Sequence, residues 1–185
     1  MLLSPHLSDK LVDWRLLEQA GGQALVIEKQ ILELGPSYGL DLMMWAPWAK
    51  HYTMLDSDPT VHAHLTPMIE LFAGKRDVTL LRHNMQQPFA AALAPVDLVI
   101  DFGTVDNVLA GFLPYEESIK LLAPKGVLVT TYANRAFFQE DKSPSGDEQR
   151  FEPQQLVQLF TQNGCEVYIR MNEDQARAGM AVRKL

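Results

Sequence analysis

The feature that most constrains this chain is a train of short, continuously apolar runs, at 30–34, 52–55, 78–82, 98–100 and 126–132. A strand with one wet face alternates apolar and polar residues, whereas a strand covered by helices on both faces does not need to. The runs therefore predict parallel strands between two helical layers. The segments between them supply the helices. Ser8 is expected to cap a first helix running to Ala20, with Leu11, Val12, Leu16 and Leu17 facing inward and Trp14 to one side. Gly21-Gly22 ends that helix. A crossover helix is expected over 40–49, with Trp45 and Trp48 on its core face. Asp58-Pro59 reads as a cap followed by a first-turn proline, and Pro67 predicts a kink further on. The connection after the third strand is short and holds Pro88 and Pro95. Pro114 starts a helix ending near Leu122, and the 123–126 turn leads into the fifth strand. The polar stretch 133–150 is the longest loop-like segment. Pro153 opens a last helix that Asn163-Gly164 stops. Runs at 165–170 and 178–183, joined by a short polar turn, predict a terminal antiparallel hairpin.

A chain of 185 residues suits one domain with one substantial core, here a helical segment over 1–29 and an α/β core over 30–185. A net charge of −7 weighs against a broad basic face, so nucleic acid and membrane surfaces are not expected partners. Cys165 is the sole cysteine; it can form no internal disulfide and reads as a small buried strand residue. The five histidines show no metal-ligand spacing, and no metal is expected. Acidic residues come early, and the first residues hold no apolar run of the length a secretory signal needs. A cytoplasmic location is the expectation.

The first strand ends in Glu33-Leu34-Gly35-Pro36-Ser37-Tyr38-Gly39. Glycines between a strand and a helix let a ligand approach the backbone, and open α/β sheets bind ligands at the carboxyl ends of their strands. An ordinary tight turn would carry the same glycines. The second strand ends in Asp56, placed to accept two ribose hydroxyls, as an acid does at that point of dinucleotide-binding folds. Asp58 is the rival candidate, but its simpler role is the helix cap. The third strand leads into His83-Asn84-Met85, and the fourth into Asp101-Phe102-Gly103-Thr104-Val105-Asp106.

This pattern resembles the class I S-adenosylmethionine-dependent methyltransferases over nearly the whole chain, from about Gln30 to the end. The acid and glycine turn resemble that family's first motif, with Ser37 in place of the middle glycine. The segment after the fourth strand resembles its fourth motif. That segment is also similar to an Asp-Lys-Gly-Thr-Leu-Asp stretch of some methyltransferase-like proteins acting on protein lysines, with Phe102 in place of the Lys. The resemblance implies a Rossmann-like, doubly wound, mostly parallel seven-stranded sheet with a C-terminal antiparallel hairpin. It implies S-adenosyl-L-methionine as cofactor. Glu33, Gly35, Ser37 and Gly39 would serve its amino-acid part, Asp56 its ribose, Asn84 and Met85 its adenine, and Asp101 and Phe102 the region of the sulfonium. For Met85 and Phe102, plain core packing is the competing role.

Methyl transfer needs alignment and dry surroundings more than a catalytic constellation. Asp101, His83 and Tyr132 are the candidate catalytic side chains. The sequence has neither the Asn-Pro-Pro-Tyr-like tetrapeptide of amino-methylating nucleic-acid enzymes nor the acid pattern of metal-dependent catechol-type enzymes. The expected acceptor is a small molecule or a protein side chain, bordered by the first helix and by a 133–150 lid carrying Phe137 and Phe138. A nicotinamide dinucleotide or nucleotide-sugar enzyme, an aminopropyl transferase and a non-catalytic binding module remain open.

Overall fold

The computed structural model describes residues 5–72, 76–89, 93–135 and 150–185, with side chains from Lys10 onward. In chain order the elements are α1 (Pro5–Ala20), β1 (Gln30–Leu34), α2 (Leu40–Trp45), β2 (His51–Asp56), α3 (Pro59–Glu70) and β3 (Asp77–Arg82). Then come β4 (Val96–Phe102), α4 (Leu113–Leu121), β5 (Leu122–Ala133), α5 (Pro153–Gln162), β6 (Cys165–Met171) and β7 (Arg177–Lys184). The strands form one seven-stranded sheet in the order β3-β2-β1-β4-β5-β7-β6. β1 to β5 pair in parallel, and β7 is antiparallel to both β5 and β6. Strand order therefore reverses between β1 and β4, which opens a crevice at their carboxyl ends.

The alternation hidden in the apolar runs appears once both faces are seen. Ile31, Leu98 and Ile100 pack into one core with Leu16 and Leu17 of α1, Leu42 of α2 and Leu65 of α3. Leu32, Leu34 and Val99 pack into the other with Tyr115 of α4 and Leu156 and Phe160 of α5. Each strand thus buries both faces, which is why its sequence is apolar at consecutive positions. Cys165 is buried on β6 as expected.

Several local expectations are corrected. α1 is already helical at Pro5, so Ser8 lies inside it rather than capping it. Leu11 is exposed, because the inward stripe runs through Asp13, Leu16, Leu17 and Ala20. α2 stops at Trp45, and Trp48 stands 54% exposed beyond it. Pro67 sits in the last turns of α3 without dividing it. The 123–126 turn is absorbed into β5, where the register against β4 shifts between Val96 and Leu98 and Lys125 takes φ 64°. Asp58 caps α3, accepting the Thr60 N–H at 2.7 Å.

Candidate functional site

At the carboxyl ends of β1, β2 and β4 lies a cavity of about 440 Å³. That size suits a small ligand. Its floor and walls combine the first turn (Gly35, Ser37, Tyr38), the end of β2 (Asp56, Asp58) and the end of β4 (Phe102, Gly103, Thr104). Lys10 and Asp13 of α1 and Arg177 of β7 also line it. A second cavity of about 390 Å³ opens at the amino ends of the strands, between Lys50, His51, Asp77 and Thr79. It lies at the end of the sheet opposite the crevice, so the first cavity is the candidate site.

The glycine turn is built as the sequence suggests, with one strained position. Gly35 and Gly39 take φ 63° and 73°, and Ser37 follows at φ 50°, where an L residue is uncommon. A Cβ on Gly35 would lie 2.3 Å from Thr104 Cγ2, so packing of this turn against the segment after β4 already demands glycine. The same bare backbone faces the cavity. Asp56 accepts the Asp58 N–H through Oδ1 at 2.8 Å and also lines the cavity.

The structure thus brings Gly35, Ser37, Asp56 and Phe102 to one cavity and leaves the other sequence candidates off its lining. Asn84 is exposed and turns the chain, its Oδ1 accepting the Gln86 N–H at 2.9 Å. Met85 is buried in the core on the α4–α5 face, the competing role named for it. His83 stacks edge-on against Phe89. Tyr132 is fully buried, edge-on to Phe151, and its hydroxyl has no hydrogen-bond partner among the described residues. Burial drives the Tyr132 phenol well above its ordinary range. Phe102 does offer a ring face to a cation, but Lys10 Nζ stands over it, 5.0 Å from the centroid. Phe137 and Phe138 lie outside the described residues.

Two of the candidates sit directly behind the cavity. Asp101 is fully buried and receives the N–H groups of Thr104 (2.9 Å) and Val105 (3.2 Å) and the hydroxyls of Thr130 (2.8 Å) and Tyr115 (3.1 Å). Burial raises its carboxyl above the usual range, against the pull of those four donors. Its oxygens hold the turn that carries Phe102, Gly103 and Thr104. Glu33 is buried beside Tyr52, whose hydroxyl donates to it at 3.0 Å, and beside Asp41 at the start of α2. Burial first, and the Asp41 charge second, push Glu33 up to about 8. A protonated Glu33 can donate to Asp41, which also accepts the Trp14 indole N–H at 2.8 Å and pairs with Lys10. Through this chain Glu33 ties β1, α2 and α1 together around the glycine turn.

Sequence reasoning missed Lys10, Asp13, Thr131 and Arg177. Asp13 is 1% exposed and accepts the Thr131 hydroxyl at 2.7 Å, while Thr131 Oγ1 receives Arg177 Nη2 at 2.7 Å. Arg177 Nε stands 3.6 Å from Asp13, and Lys10 Nζ stands 3.7 Å from it. Burial raises the Asp13 carboxyl, opposed mainly by Arg177. An aspartate on an otherwise apolar helix stripe was the one available signal. Among the described residues no group of His, Cys, Asp and Glu could hold a metal ion, and no helix is long and apolar enough to cross a membrane.

No protein-family model matches the chain, and no curated protein matches it by sequence. Solved structures do. N-methyltransferase NodS from Bradyrhizobium japonicum WM9 superposes with a TM-score of 0.73 at 17% identity, over 98% of this chain and 99% of NodS. NodS has also been solved in complex with S-adenosyl-L-homocysteine. An S-adenosylmethionine-dependent methyltransferase from Mesorhizobium loti gives 0.76 at 10% identity, over 93% and 97% of the two chains. The [4+2]-cyclase SpnF gives 0.75 at 14%, over 95% of this chain and 80% of SpnF. With its 3-2-1-4-5-7-6 strand order, the chain has the fold of the class I S-adenosylmethionine-dependent methyltransferases.

Proposed function

We propose that the chain is an S-adenosylmethionine-dependent methyltransferase acting on a small molecule or a protein side chain. The observation that carries this reading is the single cavity uniting the Gly35–Ser37 turn with the Asp56 carboxylate at the strand-order reversal. The residues fit the donor on structural grounds. The turn presents backbone without Cβ at Gly35, and Asp56 turns toward the same space with one oxygen engaged by its own loop. Gly35 and Ser37 would hold the amino-acid part and Asp56 the ribose, while Glu33, Gly39 and Asp101 keep the surrounding turns in place. S-adenosylmethionine supplies a methyl group already activated by its sulfonium.

What remains for the chain is alignment, exclusion of water and, for a nucleophile that arrives protonated, removal of a proton. Asp13 is the carboxylate best suited to that removal. It lines the cavity, it is buried, and its raised pKa brings it closer to the working range of a general base. It is a better candidate than Asp101, whose oxygens are committed to four donors, or Tyr132, which lies in the core.

Calorimetric titration tests the reading. S-adenosylmethionine and S-adenosylhomocysteine are expected to bind the wild-type chain, and NAD is not. Asp56→Ala is expected to stay folded and bind the donor about tenfold or more weakly, since a hydrogen bond to a charged group contributes about 1.5–3 kcal/mol. Absence of S-adenosylhomocysteine binding to the folded wild type would sink the methyl-donor assignment. Unchanged affinity in Asp56→Ala would remove Asp56 from the ribose.

A further inference from the structure

One cation of the cavity, Arg177, sits off the half assigned to the donor, while the other, Lys10, is paired with Asp41 beside the glycine turn. The glycine turn and Asp56 end β1 and β2, on one side of the crevice. Arg177 starts β7, opposite Ala133 of β5, and its guanidinium reaches back over Thr131 to lie against Gly103, just past β4. That contact is close. A Cβ on Gly103 would fall 2.1 Å from Nη2 and 2.5 Å from Nη1, so only glycine leaves room for the guanidinium, and Gly103 takes φ 76° as well. Phe102, the last residue of β4 and the chain neighbour of Gly103, borders the same space.

The partners of Arg177 leave it incompletely used. Nη2 donates to Thr131, while Nε is buried without a hydrogen-bond acceptor among the described residues, its Asp13 neighbour lying 3.6 Å away. The side chain is 27% exposed, into the cavity it lines. Lys10 is drawn onto Asp41, so its charge is the less available of the two. A planar guanidinium with spare N–H groups at a cavity wall matches a carboxylate or a phosphate. The rest of the cavity decides between them. Asp13, Asp56 and Asp58 also line it and repel any anion, a dianionic phosphate about twice as strongly as a singly charged carboxylate, which favours the carboxylate.

Resting on the methyltransferase reading above, we infer that Arg177 is a carboxylate-binding subsite on the acceptor half of the cavity, so that the methyl acceptor carries a carboxylate. Arg177 anchors that group in the space bounded by Gly103 and Phe102, and Asp13 stands beside it to meet the nucleophilic end. The donor's own carboxylate is the other possible source of the same chemistry, and the experiment separates the two.

In the first arm, S-adenosylhomocysteine and methylthioadenosine, which lacks the amino-acid part, are titrated calorimetrically into wild type and Arg177→Gln. Both affinities are expected to change less than threefold. A tenfold loss confined to S-adenosylhomocysteine would assign Arg177 to the donor and overturn the inference. In the second arm, protein saturated with S-adenosylhomocysteine is titrated with benzoate, benzamide and phenyl phosphate. Benzoate is expected to bind wild type at least tenfold tighter than benzamide, and tighter than phenyl phosphate. The preference over benzamide should vanish in Arg177→Gln and partly return in Arg177→Lys. Equal binding of benzoate and benzamide by wild type, which needs no variant, overturns the inference, as does a preference that survives Arg177→Gln. A stronger phenyl phosphate signal would replace the carboxylate by a phosphate. Should wild type bind no S-adenosylhomocysteine, the donor reading fails by itself, and the second arm run without it still decides whether Arg177 holds a carboxylate.

Discussion

Glu33 and Asp101 stand one position apart across the β1–β4 pairing, with Leu34 opposite Asp101 and Glu33 opposite Ile100, yet they point to opposite faces of the sheet. Both are buried, and burial raises the pKa of both. The difference lies in what compensates that burial. Asp101 has four fixed donors, two of them backbone N–H groups. Glu33 has one hydroxyl donor and a second carboxylate as neighbour, and it is relieved by keeping its proton to about pH 8. A buried acid can be held by hydrogen bonds to its charged form or by losing its charge. This crevice uses the first solution where a turn must be fixed and the second where two carboxylates must coexist.

The largest effect expected from that contrast is at Asp101. Asp101→Ala strips the acceptor from the Thr104 and Val105 N–H groups, while Tyr115 and Thr130, whose hydroxyl oxygens are 3.0 Å apart, can still pair with each other. A buried donor left unpaired costs about 1–3 kcal/mol, so a loss of about 3–5 kcal/mol is expected in urea denaturation, with donor binding lost alongside as the Phe102–Thr104 turn loosens. A loss under about 1 kcal/mol would mean that the four hydrogen bonds contribute little and the contrast with Glu33 is only geometric.

Glu33→Gln comes next and acts through pH. Below about pH 4.5, the ordinary value for the side chain, Glu33 is protonated in both the folded and the unfolded chain and contributes no pH dependence. From there to about pH 8 the unfolded chain releases the proton and the folded chain keeps it, so wild-type stability falls as pH rises. Above pH 8 both are ionised and the penalty levels off. Glutamine mimics the protonated acid and carries no such penalty. The variant is therefore expected to gain on wild type between pH 5 and pH 8 by about 3 kcal/mol, at about 1.4 kcal/mol per pKa unit over the part of the shift that this window spans. Thermal melts at the two pH values measure the gain. A gap that does not widen with pH would place a charged Glu33 in the folded chain and remove the distinction from Asp101.

The sequence made the sheet legible because each strand is covered on both faces, which writes itself as an unbroken apolar run. The glycine turn and the place of Asp56 at the same cavity were legible for a similar reason, since each lies at the carboxyl end of such a run. The rest of the site was not, because its geometry is long-range. Lys10 and Asp13 come from the first helix and Arg177 from the last strand, and only the antiparallel insertion of β7 beside β5 brings them over Thr131. Asp101 illustrates the opposite error. An acid at the end of a central strand suggests a ligand contact, but its two backbone donors lie three and four residues further on, in a turn whose shape the spacing does not reveal. Trp48 and Leu11 were placed inward on helical periodicity alone, and one extra turn or a slightly rotated stripe was enough to expose them.

The smallest expected effect is the most discriminating test of the contrast. Each acid has one tyrosine donor, Tyr52 to Glu33 at 3.0 Å and Tyr115 to Asp101 at 3.1 Å, and both tyrosines are fully buried. Removal of either hydroxyl deletes the same chemical group at nearly the same distance from its acid; Tyr115 also lies 3.0 Å from the Thr130 hydroxyl, so the change of each cost with pH is what reports the state of the acid. Tyr115→Phe takes a donor from a carboxylate held by hydrogen bonds, and a loss of about 1.5 kcal/mol is expected at pH 6. Tyr52→Phe takes a donor from a side chain that carries its own proton at that pH, and about 0.5 kcal/mol is expected. Above pH 8, where Glu33 ionises, the Tyr52→Phe cost should climb toward that of Tyr115→Phe, because a buried carboxylate then loses its only hydroxyl donor. Denaturation of both variants at pH 6 and pH 9 reads all four values. A Tyr52→Phe cost that stays the same from pH 6 to pH 9 would show that Glu33, like Asp101, is held through its charged form, and the two faces of the crevice would then obey one rule.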